Sequence, residues 1–161
     1  MKTQKTKLDH IDFKILNELQ INGKISNVEL AQLVNISPPS CLRRVKALED
    51  AKFINGYNAD VNAELLGFKV TVFAYVGLES QAESDLQTFE KYISIFPEVR
   101  ECYMLIGEVD FLLKIVAKDW DEFQKFLTAK LTQAPKVSNV KTSLNIRCVK
   151  SLPGVPFDTM L

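Results

Sequence analysis

Residues 26–57 read SNVELAQLVNISPPSCLRRVKALEDAKFINGY, and the order of signals in this stretch sets the N-terminal fold. Ser26 followed three residues later by Glu29 is a capping box. Val28, Leu30, Ala31, Leu33 and Val34 then give a short helix that ends at Asn35, a residue that tolerates left-handed backbone. Ser37 with Pro38 and Pro39 starts the next helix, Ser as N-cap and Pro in the first turn, where its missing N–H costs nothing. In that helix Cys41, Val45 and Leu48 form one apolar face while Arg43, Arg44 and Lys46 project elsewhere. Two short helices around a three-residue turn, Asn35, Ile36 and Ser37, make a helix-turn-helix, with Leu30, Ala31, Val34 and Ile36 where the helices meet. Asn55-Gly56, flanked by Ile54 and Tyr57 and leading to Val61, predicts a hairpin wing.

Upstream, Leu8, Ile11, Ile15, Leu16 and Leu19 recur at helical spacing, with Asp9 as a capping residue and Gly23 as a stop. Downstream the pattern changes. Residues 62–67 read as a linker, and 68–150 run strand (68–78), helix (Leu86, Phe89, Ile93, Phe96), strand (99–106), strand (110–116), helix (Trp120, Phe123, Leu127, Leu131), strand (137–149). This β-α-β-β-α-β order is the ferredoxin-like layout, a sheet with helices on one face. The expectation is an α+β chain: a three-helix winged helix-turn-helix domain at 1–61, the linker, a ferredoxin-like βαββαβ domain at 68–150 and a tail at 151–161.

Composition narrows the function. The 161 residues are 47% hydrophobic and 25% charged, ordinary for a globular chain. The longest nearly apolar run, 70–78, is far short of the roughly 20 residues a spanning helix needs. Residues 1–7 lack an apolar stretch behind them, which predicts no secretory signal and a cytoplasmic protein without membrane contact. His10 is the sole histidine and sits beside Asp9 and Asp12, as a solvated side chain would; Cys41, Cys102 and Cys148 form no CxxC. These counts weigh against transition-metal sites and against Ser/His or Cys/His catalysis, so no cofactor, metal or catalytic residue is expected. Asp119, Asp121 and Glu122 open a helix, where carboxylates favour the dipole, and read as caps. Net charge is zero: residues 1–60 hold nine basic and seven acidic side chains, leaving eleven and thirteen in the remainder. DNA binding must then rest on where the charges stand. Ser37, Pro38, Ser40, Arg43, Arg44 and Lys46 are the expected DNA-contacting set, since an Arg fork pairs bidentately with guanine or phosphate.

With these residues in view the run from Leu8 to Asn62 resembles the winged helix-turn-helix domain of the Lrp/AsnC (leucine-responsive, feast/famine) bacterial transcription regulators. Its most specific part is SPxxCLRRVxxLE at 37–49. Residues 68–150 resemble that family's effector-binding domain. The resemblance implies double-stranded DNA as a partner, a small amino acid as effector, and homodimers that assemble into octamers. At the turn Gly107, Glu108, Val109, Asp110 the family has Gly-Asp-aromatic-Asp, so two of four positions depart. Gly there lets a ligand's carboxylate approach turn N–H groups, and Asp110 offers a partner for an α-ammonium. Thr142 and Ser143 on the last strand complete the expected effector set. The rival expectation is a ferredoxin-like metabolite-binding module or small enzyme with a helical protein-interaction appendage, which salt-sensitive retention on DNA would separate.

Overall fold

A computed structural model describes residues 7–157; residues 1–6 and 158–161, and the expectations that fall on them, lie outside the described residues. Two compact units emerge: the chain up to Asp60 joined by the residues from Lys150 onward, and Val61–Val149.

The first unit holds α1 (His10–Ile21), α2 (Asn27–Leu33) and α3 (Pro38–Asp50). Asp9 caps α1 by accepting from the N–H groups of Ile11 and Asp12, and Asp12 returns the bond to the Asp9 N–H. The helix stops at Asn22, one residue before the glycine expected to end it. The Ser26/Glu29 capping box of α2 forms as the sequence implies. Asn35 takes φ 56°, so the chain reverses and the Ile36 N–H reaches the Ala31 carbonyl at 3.0 Å. Ile15, Leu16, Leu30, Ala31, Val34, Cys41 and Leu48 bury together, with Val45, Ile36 and Ile54 packed against them. Val28 and Leu33, read as part of α2's apolar pattern, are exposed.

The wing segment takes another form than the hairpin expected. Residues 53–61 carry no strand pairing, and neither Asn55 nor Gly56 has the positive φ that a type I′ turn demands. Side chains hold the segment down instead: Ile54 packs on the core, and the Tyr57 hydroxyl donates to Glu49 Oε1 at 2.8 Å. Gly23 serves this contact, because a Cβ there would stand 3.2 Å from the Tyr57 ring.

The second unit contains β1 (Val70–Leu78), α4 (Glu83–Ile93), β2 (Val99–Met104), β3 (Phe111–Ala117), α5 (Trp120–Phe126) and β4 (Val137–Leu144). The sheet order is β2-β3-β1-β4, with each neighbouring pair antiparallel. Alternation sorts its faces. Val72, Ala74 and Val76 from β1 and Phe111, Leu113 and Ile115 from β3 lie with Phe89, Ile93, Phe123 and Phe126 of the helices in one buried cluster. Phe73, Tyr75, Leu112, Lys114 and Val116 stand half-buried on the other face. After α5 the chain makes a single π turn, Leu127–Leu131, in which the Thr132 N–H bonds to the Leu127 carbonyl at 2.9 Å. Trp120, read from the sequence as part of the buried helix face, is half exposed, while Phe123 and Leu131 are buried. Phe96 lies just beyond α4, and its ring meets Tyr92 and Phe126 edge-on.

Candidate functional site

Two places carry the chemistry singled out by the sequence: the outer side of α3, and the turn between β2 and β3.

On α3 the helix entry is fixed from α2, where Asn27 Nδ2 donates to the Pro38 carbonyl at 2.9 Å. Ser37 has N-cap backbone geometry, but its hydroxyl makes no capping bond and stays exposed. Arg43 and Lys46 are exposed on the side of the helix away from Cys41 and Leu48, Pro38 is exposed in the first turn, and Ser40 is half-buried. No acidic residue stands in the first turn, so nothing there opposes a phosphate at the positive end of the dipole.

Arg44 departs from the expected set. Its Nη1 pairs with Asp12 Oδ1 at 2.7 Å and Asp9 Oδ2 at 2.9 Å, and only 25% of its side chain remains exposed. The hydrogen bond that Arg44 donates to Asp12, then the one to Asp9, raises the guanidinium pKa above its usual value. Asp9, bonded by the Asp12 N–H and paired with Arg44, is held below the usual aspartate range. Arg44 is therefore spent tying α3 to the cap of α1, and its assignment to DNA is corrected. Helical spacing alone distinguishes Arg43 from Arg44 by only 100° of rotation, too little to reveal that one has carboxylates opposite it.

At the β2-β3 turn the Leu105 N–H bonds to the Asp110 carbonyl at 2.8 Å and the Asp110 N–H to the Val76 carbonyl at 2.9 Å, which pins the turn against β1. Between them Gly107 adopts φ 155°, with open space where a Cβ would stand. The N–H groups of Ile106, Gly107, Glu108 and Val109 are engaged by no hydrogen bond among the described residues. Gly107, Glu108 and the wholly exposed Ile106 face solvent, and Val109 is half-buried.

Asp110 is more deeply committed than the sequence suggests. At 8% exposure it is the buried acidic residue of this unit, accepting from the Leu78 N–H at 2.7 Å and from Gln81 Nε2 at 3.0 Å. Leu78 and Gln81 escape a sequence reading, because no local pattern marks a partner some thirty residues away. Thr142 and Ser143 also depart from expectation. Thr142 pairs with Ala74 and Ser143 with Phe73, so they lie on opposite faces of β4. That strand is two strands from β3, roughly 10 Å across the sheet, and within one chain neither residue joins the turn. Among the described residues no group of His, Cys, Asp and Glu is placed to hold a metal, and no helix is long and apolar enough to cross a membrane.

Comparison with known proteins identifies the domains in which the two places lie. The winged helix-turn-helix DNA-binding family matches residues 8–55, and the Lrp/AsnC ligand binding domain matches 71–155. The chain belongs to the Lrp/AsnC family of transcriptional regulators. It is similar to the leucine-responsive regulatory protein of Rhizobium meliloti, 48% identical over 146 residues covering 91% of this chain and 94% of the relative. It is 38% identical over 153 residues to the transcriptional regulator AzlB of Bacillus subtilis, covering 95% and 98%. Among solved structures, a transcriptional regulator of Neisseria meningitidis in complex with L-Met superposes with a TM-score of 0.91 at 34% identity, covering 96% of this chain and all of the other. As a Lrp/AsnC regulator the chain binds DNA through its helix-turn-helix and carries the family's ligand binding domain over residues 71–155.

Proposed function

We propose that this regulator binds its amino acid at the Gly107–Asp110 turn and reads DNA with Ser37, Pro38, Ser40, Arg43 and Lys46. It works by binding rather than catalysis, in the cytoplasm, as a homodimer that assembles further to an octamer. The observation that carries the effector site is the set of unengaged N–H groups from Ile106 to Val109 around a side-chain-free Gly107. Successive free amides on an exposed turn form a nest for an α-carboxylate. The α-ammonium then falls to Asp110, whose Oδ1 is held only by the exposed Gln81 amide, a partner that a ligand cation can replace. Glu108 and Val109, the two turn positions that depart from the pattern the resemblance implies, set the entrance and leave the amide nest untouched.

The half-buried Phe73, Tyr75, Leu112 and Val116 on the uncovered sheet face support the dimer, because a patch of this kind is costly in water. Ligand binding and assembly then share a linkage: an amino acid that favours one assembly changes how pairs of α3 helices are presented to DNA.

A thermal-shift screen of the twenty amino acids tests the reading. A ligand at a hundred times its Kd raises stability by about 2.7 kcal/mol, and Gly107→Val, which fills the nest and forces a strained backbone, abolishes that shift. An equal shift in parent and variant places the ligand elsewhere.

A further inference from the structure

The chain passes between its two units twice, once after Asp60 and again after Val149, because the residues from Lys150 onward belong with the first unit. Their docking is specific. Phe157 is 8% exposed within the cluster of Ile15, Leu30 and Cys41, its ring centroid 6.3 Å from that of Phe13. Gln20, on α1, reads one peptide unit from both sides: its Nε2 donates to the Val155 carbonyl at 2.8 Å, and the Val155 N–H donates to its Oε1 at 3.0 Å. Gly154 fixes the register, with φ 68° and a position where a Cβ would stand 2.0 Å from Gln20 Oε1. A ring in the core, a two-bond amide clasp and a glycine at positive φ together define the seating of the tail.

At the other end the segment is continuous with β4, where the Asn145 N–H donates to the Thr71 carbonyl at 2.9 Å. From Leu144 to Val155 the backbone spans at most about 36–40 Å when fully drawn out. A chain fastened at both ends limits orientation as well as distance, which a single connection after Asp60 does not.

We propose that the segment from Lys150 to Phe157 is a strap. Seated on α1 and Gln20, it tethers the DNA-binding unit to the sensing unit a second time and narrows the orientations that unit can take. This rests on the assembly reading above, since narrowed orientation raises affinity only where two DNA-binding units engage one duplex, by raising the effective concentration of the second.

The test lengthens the strap without unseating it. In the full chain, about ten Gly/Ser residues are inserted between Ser151 and Leu152, an extension whose added closure entropy is small, so the clasp and Phe157 stay docked. DNA affinity is measured on a duplex with one half-site and on one with two, both selected by the parent from a random pool. The strap predicts parental melting, parental affinity for the single half-site and about three-fold or greater weakening on the paired site. Phe157→Ala and Gly154→Val, which undo the docking itself, reproduce the paired-site loss, the former with lower melting. Parental affinity of the lengthened chain on the paired site overturns the strap and leaves the tail as packing alone. Equal weakening on both duplexes also overturns it, because that pattern marks a damaged DNA-binding unit. A parent that gains nothing from the second half-site disproves the assembly reading instead, a result distinguishable from either.

Discussion

Arg43 and Arg44 are adjacent, alike in chemistry and opposite in use. Replacing Arg44 by Ala leaves Asp9 and the 14%-exposed Asp12 without their cation. Breaking a fully buried pair costs about 3–5 kcal/mol and an exposed one under 1, so this half-buried site stands to lose about 1–3 kcal/mol of stability. Arg43→Ala is expected to melt like the parent and to lower the salt dependence of DNA binding by about one counterion. Chemical denaturation and DNA titrations at several salt concentrations check both, and the reverse pattern would return Arg44 to the DNA surface. A similar division applies at the sensor turn. Asp110→Ala strands the Leu78 N–H and costs about 1–3 kcal/mol in the second unit, whereas Gly107→Val meets open space and is costly only through the backbone strain it puts on the turn. Lost amino-acid binding in Asp110→Ala is informative only beside its melting curve. Both residues illustrate what a sequence hides. Charge and helical position are legible, but whether a charge is already spent depends on partners such as Asp9, Asp12 and Gln81 that only tertiary folding brings up.

Elements were more legible than side-chain commitments, for a physical reason: capping and periodicity act locally. The Ser26/Glu29 box, the Pro38 start and the alternation along β1 and β3 each produce the element they imply. Failures came where a local preference met a tertiary competitor. Asn55-Gly56 favours a hairpin, but Ile54 packs on the helical core and the Tyr57 hydroxyl donates to Glu49, and the segment carries no strand pairing. Thr142 and Ser143 alternate by the period of a strand, which places them on opposite faces and away from the turn. The same local caps give a pH dependence. Asp9 is held below the ordinary value of 3.8 by the Asp12 N–H and by Arg44, and Glu29 below 4.5 by the Ser26 hydroxyl and N–H. A depressed carboxyl contributes stability that is complete above its unfolded value and is lost as pH falls through the folded one. The contribution of these two caps is therefore expected to be complete above about pH 5 and to be lost as pH falls below about 4. Asp9→Asn keeps a capping side chain but no longer titrates, so its acid limb becomes shallower; an unchanged limb in circular dichroism melts would assign the loss to other groups.

For the whole molecule, the arrangement of faces decides assembly. The helices cover the side of the sheet carrying Val72, Ala74 and Val76, so Val72 is core, and the surface left for a second copy is that of Phe73, Tyr75, Leu112 and Val116. Leu112→Glu places a charge among these side chains without touching the covered cluster. It is expected to shift the protein to monomers in sedimentation while the chain still folds and to weaken DNA binding by removing the second DNA-binding unit. A Leu112→Glu protein that sediments as the parent does would move the dimer contact off this face.

Cys41 lies at 0% exposure at the centre of the helix-turn-helix, where burial also raises its thiol pKa and so lowers the thiolate fraction that reacts. An alkylating reagent can reach that sulfur only when α3 parts from α1 and α2. Its modification rate, located by peptide mapping apart from Cys102 and Cys148, thus times the opening of the DNA-binding unit in the intact protein. The natural chain carries its own stopwatch, one that needs no introduced label and runs equally well with DNA or an amino acid present.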